Sequence, residues 1–114
     1  MWAIEFYQKE GGEEPVRVFL DGIELKLRAK AVRDIELLAR YGKHLREPFS
    51  KYIQDGIFEL RTKQSTNITR ILYFFYTDNK IILTNGFVKK TQKTPPSEIQ
   101  KALKYKKDFE RRQK

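Results

Sequence analysis

Arg70-Ile-Leu-Tyr-Phe-Phe-Tyr76, then Thr77-Asp78-Asn79, then Lys80-Ile-Ile-Leu-Thr-Asn-Gly-Phe-Val88: these consecutive pieces decide the fold. The outer two are runs of Ile, Leu, Tyr, Phe and Val that favour pleated, well-covered strands. Asp78-Asn79 supplies turn chemistry between them, so the whole reads as a β-hairpin. The second strand runs out into Lys89, Lys90 and Lys93. A rigid sheet that delivers cations at its end is a good place to hold a phosphate.

Upstream of the hairpin, Ile57 to Thr62 alternates, with Phe58 and Leu60 facing one way and Glu59 and Arg61 the other. Tyr52 and Ile53 start a short strand that turns at Asp55-Gly56, and Gln64 to Asn67 is a polar turn. Trp2, Ile4 and Phe6 alternate in a first strand, and the polar stretch Gln8 to Glu14 is a loop. Pro15 suits a first helical turn. Val16, Phe19, Leu20, Ile23 and Leu27 then trace a helix face, within which Gly22 weakens but does not end the helix. Ala31, Val32, Ile35, Leu38 and Ala39 continue an apolar stripe to a natural stop at Gly42. Two helices are expected over 15–41, because one of that length would be long for so small a domain.

Downstream, Thr94 reads as an N-cap before Pro95 and Pro96, and Ile99, Ala102, Leu103 and Phe109 mark the apolar face of a last helix. The expectation is an α+β fold, one domain over residues 1–114. It has a largely antiparallel sheet of four to five strands, two N-terminal helices and a C-terminal helix, with the helices on one face.

The net charge of +9 is unevenly placed. Residues 1–56 hold ten Lys/Arg and ten Asp/Glu, whereas residues 57–114 hold fourteen against five, so all of the excess lies in the second half. Such asymmetry points to a polyanionic partner, most often nucleic acid. By this reading, cations after residue 57 dominate RNA affinity, and Lys26, Lys30 and Arg33 contribute nothing to it.

Several chemistries are set aside. With no cysteine there is neither a disulfide framework nor a zinc–thiolate site. His44 is the one histidine and follows a Gly-Lys turn, which suits a surface residue better than a catalyst. No Gly-rich phosphate loop or paired-carboxylate spacing is present, no metal or other cofactor is expected, and no apolar run is long enough to span a membrane. The N-terminal stretch lacks the layout of a secretory signal, so the expected location is the cytoplasm.

What remains is Arg and Lys on and beside strands, with Arg61, Arg70, Lys89 and Lys93 as candidate catalytic groups and Lys63, Lys90 and Phe87 as candidate substrate contacts. Such a set can cleave RNA without histidine. The ribose 2′-hydroxyl attacks its own phosphate, guanidinium groups steady the charge that develops, and a lysine crowded by cations exchanges protons. Phe87, Tyr73, Phe74 and Tyr76 are candidates to stack a splayed base. The opposing reading pairs Arg61 with Glu59 and leaves the lysines merely solvated. A non-catalytic RNA- or ribosome-binding module, and a domain whose basic helix docks an acidic partner, want the same cations.

Gly56-Ile-Phe-Glu-Leu-Arg61, Arg70-Ile-Leu-Tyr-Phe74 and Asn85-Gly-Phe-Val-Lys-Lys-Thr-Gln-Lys-Thr-Pro-Pro-Ser-Glu-Ile-Gln-Lys-Ala102 together resemble the phage-derived, HigB-like branch of the RelE toxin superfamily. The resemblance covers nearly the whole chain. It implies a type II toxin, a ribosome-dependent endoribonuclease that cuts mRNA in the A site. It also implies a HigA-like helix-turn-helix antitoxin as partner, with DNA contacted only through that antitoxin. Arg61, Arg70, Lys89, Lys90 and Lys93 match the family's basic positions. Where some relatives place a tyrosine as base, this chain has Pro95 and Pro96, which leaves Lys89 or Lys93 to accept the proton. The mixed-charge helices over 15–41 are the expected seat of the antitoxin.

Overall fold

The computed structural model describes residues 1–89 and 93–113. Five strands, β1 (Ala3–Phe6), β2 (Ser50–Gln54), β3 (Ile57–Gln64), β4 (Asn67–Tyr76) and β5 (Lys80–Val88), form one sheet in the order β1-β5-β4-β3-β2. Strands β2 to β5 pair antiparallel, and β1 joins β5 in parallel. Three helices, α1 (Pro15–Asp21), α2 (Leu25–Tyr41) and α3 (Pro96–Arg112), cover the sheet. None of the helices described is long and apolar enough to cross a membrane.

The expected α+β class, largely antiparallel sheet and three helices are all present, and the parallel β1 makes the sheet mixed. The helices do not share one face. Val16, Leu20, Ala31, Ile35 and Leu38 of α1 and α2 pack with Leu60, Ile71, Tyr73, Ile81 and Leu83. On the other side, Ala102, Tyr105 and Phe109 of α3 pack with Tyr7, Ile57, Leu72, Phe74 and Ile82. The reason is written in β4: Leu72 and Phe74 are as apolar as Ile71 and Tyr73, so both faces of the strand need cover. Tyr73 and Phe74 are thereby buried and cannot stack a base.

Residues 15–41 do form two helices, but the break falls at Gly22, which caps α1. Arg28 of α2 makes the break possible by donating from Nε to the Leu20 carbonyl (2.7 Å) and from Nη2 to the Asp21 carbonyl (2.9 Å). These carbonyls at the helix end need a partner, and the next helix supplies it. Ile23 consequently lies in the connection, still packed against the core. Gly42 ends α2 at φ +50°, and a Cβ there would collide with the Trp2 indole.

Strand β5 carries a bulge that its hydrophobic pattern does not announce. Leu72 pairs with Asn85 but Tyr73 pairs with Leu83, so Thr84 is the extra residue. The bulge reverses the facing of the residues after it. Asn85 turns to α3 and donates to Glu98 Oε1 at 2.9 Å, while Gly86 turns to α1. Without the extra residue, the end of β5 would present the opposite side chains to each layer.

Candidate nucleic-acid interface

The candidate site grows from one rung of the β3–β4 ladder, where Arg61 and Arg70 stand directly opposite each other. Two like charges at this spacing repel. Glu59, two residues before Arg61 and so on the same face, relieves that repulsion. Its Oε2 accepts from Arg61 Nε at 2.9 Å and from Arg70 Nη1. Its Oε1 accepts from the Thr94 hydroxyl, which also receives a 3.3 Å contact from Arg70 Nη1. Glu59 is fully buried and Arg70 is 2% exposed. Burial pushes the Glu59 carboxyl up, but the bonds from Arg70, Thr94 and Arg61 outweigh it and hold the group below its ordinary value. Arg61, with a side chain 23% exposed, also reaches Glu47 at 3.5 Å.

Thr94 is thus not an N-cap. The cap position of α3 belongs to Pro95, which offers no side-chain bond, and the Thr94 hydroxyl is turned to Glu59 instead. A buried carboxylate with two oxygens to satisfy is the stronger demand.

Beside this rung opens a cavity of about 350 Å³. Arg61, Lys63, Arg70 and Lys89 line it from the sheet, and Lys30, Arg33 and Asp34 line it from α2. Ile68, Pro48 and Phe49 complete the wall. Asp34 is 4% exposed and accepts from the Thr62 hydroxyl at 2.8 Å, which ties α2 to β3. Burial raises its carboxyl above the ordinary value, against the pull of Thr62, Arg33 and Lys30. Six cations therefore surround one carboxylate, a concave surface whose electrostatics suit a polyanion.

Of the residues expected at the site, Arg61, Lys63, Arg70 and Lys89 share this cavity. Lys89 is held there by its backbone N–H, which donates to Ile68 O at 2.6 Å and prolongs the β4–β5 pairing. Lys93 is exposed on the approach to α3 and is not among the cavity's lining residues. Lys90 lies outside the described residues. Phe87 pairs with Arg70 across the sheet and is half-buried against the α3-side core. His44 is exposed and does not line the cavity.

Three features escape a reading of the sequence. Glu59 is visible there only as one possible partner of Arg61, Thr94 reads as a helix end, and the cations of α2 fall outside the expected site. Lys30 and Arg33 on the cavity wall overturn the expectation that charge segregated along the chain is segregated in space. The spacing Lys26, Lys30, Arg33 is that of one helix side, and it is the signal that could have found them.

Compared with known families, residues 18–107 match the model of the family described as Phage derived protein Gp49-like (DUF891). The matched span takes in every residue that lines the cavity. The chain belongs to the Gp49-like family. This is a type II toxin–antitoxin toxin family related to RelE and HigB. The family implies an antitoxin as partner of the Gp49-like chain. A comparison with curated proteins gave no match.

Proposed function

We propose that this Gp49-like protein is a ribosome-dependent mRNA endoribonuclease of the HigB-like type, neutralised by a helix-turn-helix antitoxin. The observation that carries the reading is the convergence of Arg61, Arg70 and Lys89 with Lys30, Arg33 and Lys63 on one cavity. The ribose 2′-oxygen attacks the adjacent phosphorus, and the bond from phosphorus to the 5′-oxygen breaks. The products are a 2′,3′-cyclic phosphate and a 5′-hydroxyl. One proton leaves the 2′-hydroxyl and another reaches the departing oxygen, and Lys89 and Lys93 remain the candidates to carry them.

Of the two guanidinium groups on the rung, that of Arg61 is the better exposed to meet the phosphate, since Glu59 holds Arg70 buried. Arg70 then acts as a fixed positive charge at the cavity wall, preorganised rather than mobile. Lys63 and Phe87 contact the strand to either side. A non-catalytic RNA-binding module would use the same cations without the chemistry.

The test is expression with and without the antitoxin gene, together with mapping of cuts on translating ribosomes. Arg61→Ala and Lys89→Ala should each lower cleavage by about 10²–10³-fold, with circular dichroism unchanged. Growth arrest without cuts would favour the binding module. Undiminished cleavage by both variants would remove these residues from the site.

A further inference from the structure

The cavity does not end where the sheet ends. Two further hollows adjoin it along α2. One, of about 500 Å³, is lined by Lys26, Ala29, Lys30, Arg33 and Gln64. The other, of about 160 Å³, is lined by Arg33, Glu36, Leu37 and Arg40. Arg33 belongs to the cavity and to both hollows, and Lys30 to the cavity and the larger one.

We infer that this side of α2 is a second RNA-contacting surface, a cationic track that carries a single strand away from the cavity. The inference rests on the RNA-directed reading above. Lys26, Lys30, Arg33 and Arg40 fall within an arc of about 80° on a helix of 3.6 residues per turn and extend over about 21 Å. That length matches roughly six nucleotides of a stacked strand. Among the described residues, none of the four forms an ion pair. Arg28, on the same helix, is by contrast engaged with the end of α1.

An acidic protein segment would answer to the same charge, but two features favour nucleic acid. The track is continuous with the proposed catalytic cavity. It also offers little to anchor a protein, because Leu37 and Ala29 are its apolar members and protein interfaces need a dehydrated apolar centre. A phosphodiester backbone needs spaced cations and no such centre.

The test uses the full chain and a fluorescein-labelled, twelve-nucleotide 2′-O-methyl RNA, which lacks the attacking hydroxyl and stays intact. Affinity is measured by anisotropy from 50 to 300 mM KCl. Replacing Lys26→Gln and Arg40→Gln together, both outside the cavity, should flatten the slope of log K against log salt by about 1.4, at roughly 0.7 per phosphate. With 1 M salt as reference, affinity at 0.1 M should fall about 25-fold. Each single substitution should give about half the change in slope, which serves if the pair perturbs folding. Lys104→Gln with Lys107→Gln, exposed on α3 and equal in charge, should leave the slope alone.

An unchanged slope in the Lys26/Arg40 pair would overturn the inference, as would an equal effect from the α3 pair, since binding would then follow net charge. Weakened capture by the antitoxin with RNA binding intact would also overturn it and assign the track to an acidic protein. If the wild-type chain cuts no mRNA on ribosomes while the slope still flattens, the endoribonuclease reading fails and the track stands.

Discussion

The Glu59–Arg70 pair gives the sharpest test of how this site is built. Arg70→Met removes one donor but leaves Glu59 with Arg61 and Thr94, so the loss should sit at the lower end for a broken buried pair, about 3 kcal/mol. Glu59→Met is worse, because Arg70 keeps only the 3.3 Å contact to Thr94 among these partners. Its cost should approach about 5 kcal/mol. Combining the two replaces a buried ion pair by apolar volume, which is often neutral or better, so the double variant should lose about 1 kcal/mol or less. Arg61 tolerates this, being partly exposed and within 3.5 Å of Glu47. Urea unfolding followed by Trp2 fluorescence reads all three, since Trp2 packs edge-on against Phe75 in the core. With a slope near 1.5 kcal/mol per molar, Arg70→Met should move the midpoint by about 2 M. A double variant as unstable as the singles added together, about 8 kcal/mol, would refute a coupled pair. Under the proposed function the double variant should also be folded yet unable to arrest growth, which separates the structural role of Arg70 from its chemical one.

Three other outcomes depend on single contacts. Gly86→Ala should cost about 1–3 kcal/mol in the same unfolding assay, because the new Cβ would stand 2.5 Å from a ring carbon of Phe19. Thr62→Val should cost about 1–3 kcal/mol by leaving Asp34 buried without its 2.8 Å donor; raising pH should worsen the loss as Asp34 ionises. The Asp108 carboxyl is held at about 2 by Tyr7 and Arg112, with further help from Arg111, against an ordinary 3.8. The stability it contributes is fully present above the ordinary value and disappears as pH falls from there to about 2, so Asp108→Asn should flatten acid unfolding in that window.

The fold was legible where side-chain pattern alone determines structure. Runs such as Ile81-Ile82-Leu83 and the turn at Asp78-Asn79 fix a hairpin whatever surrounds it. The same runs announced that both faces of the sheet are covered, and gathering all three helices on one face misplaced α3. The bulge at Thr84 leaves no mark in a hydrophobic pattern, because it depends on how Asn85 and Gly86 meet α3 and α1. The site was legible as a set of cations on strands. Its organising acid was not, since alternation puts Glu59 beside Arg61 but cannot say that three donors converge on it. The cations of α2 were hidden by arithmetic. Counting charge along residues 1–56 balances Lys26, Lys30 and Arg33 against acids such as Glu5, Glu13 and Glu24, none of which lines the cavity.

The same geometry sharpens how an antitoxin can silence the protein. The expected seat, residues 15–41, has two unlike sides. One is the cationic side already described. On the other, Leu25 and Val32 recur at a seven-residue spacing, are 73% and 40% exposed, and lie about a third of a turn from the cations. Exposed apolar side chains are what a protein interface needs at its centre. An antitoxin centred there would leave the cavity open and act by bulk, keeping the complex out of the A site. Leu25→Asp with Val32→Asp should then release growth arrest from antitoxin control, while Lys26→Gln with Arg40→Gln should not. The toxin–antitoxin complex should still bind the labelled 2′-O-methyl RNA. A complex that no longer binds this RNA, and that forms normally with the Leu25/Val32 variant, would show that the antitoxin covers the cations themselves.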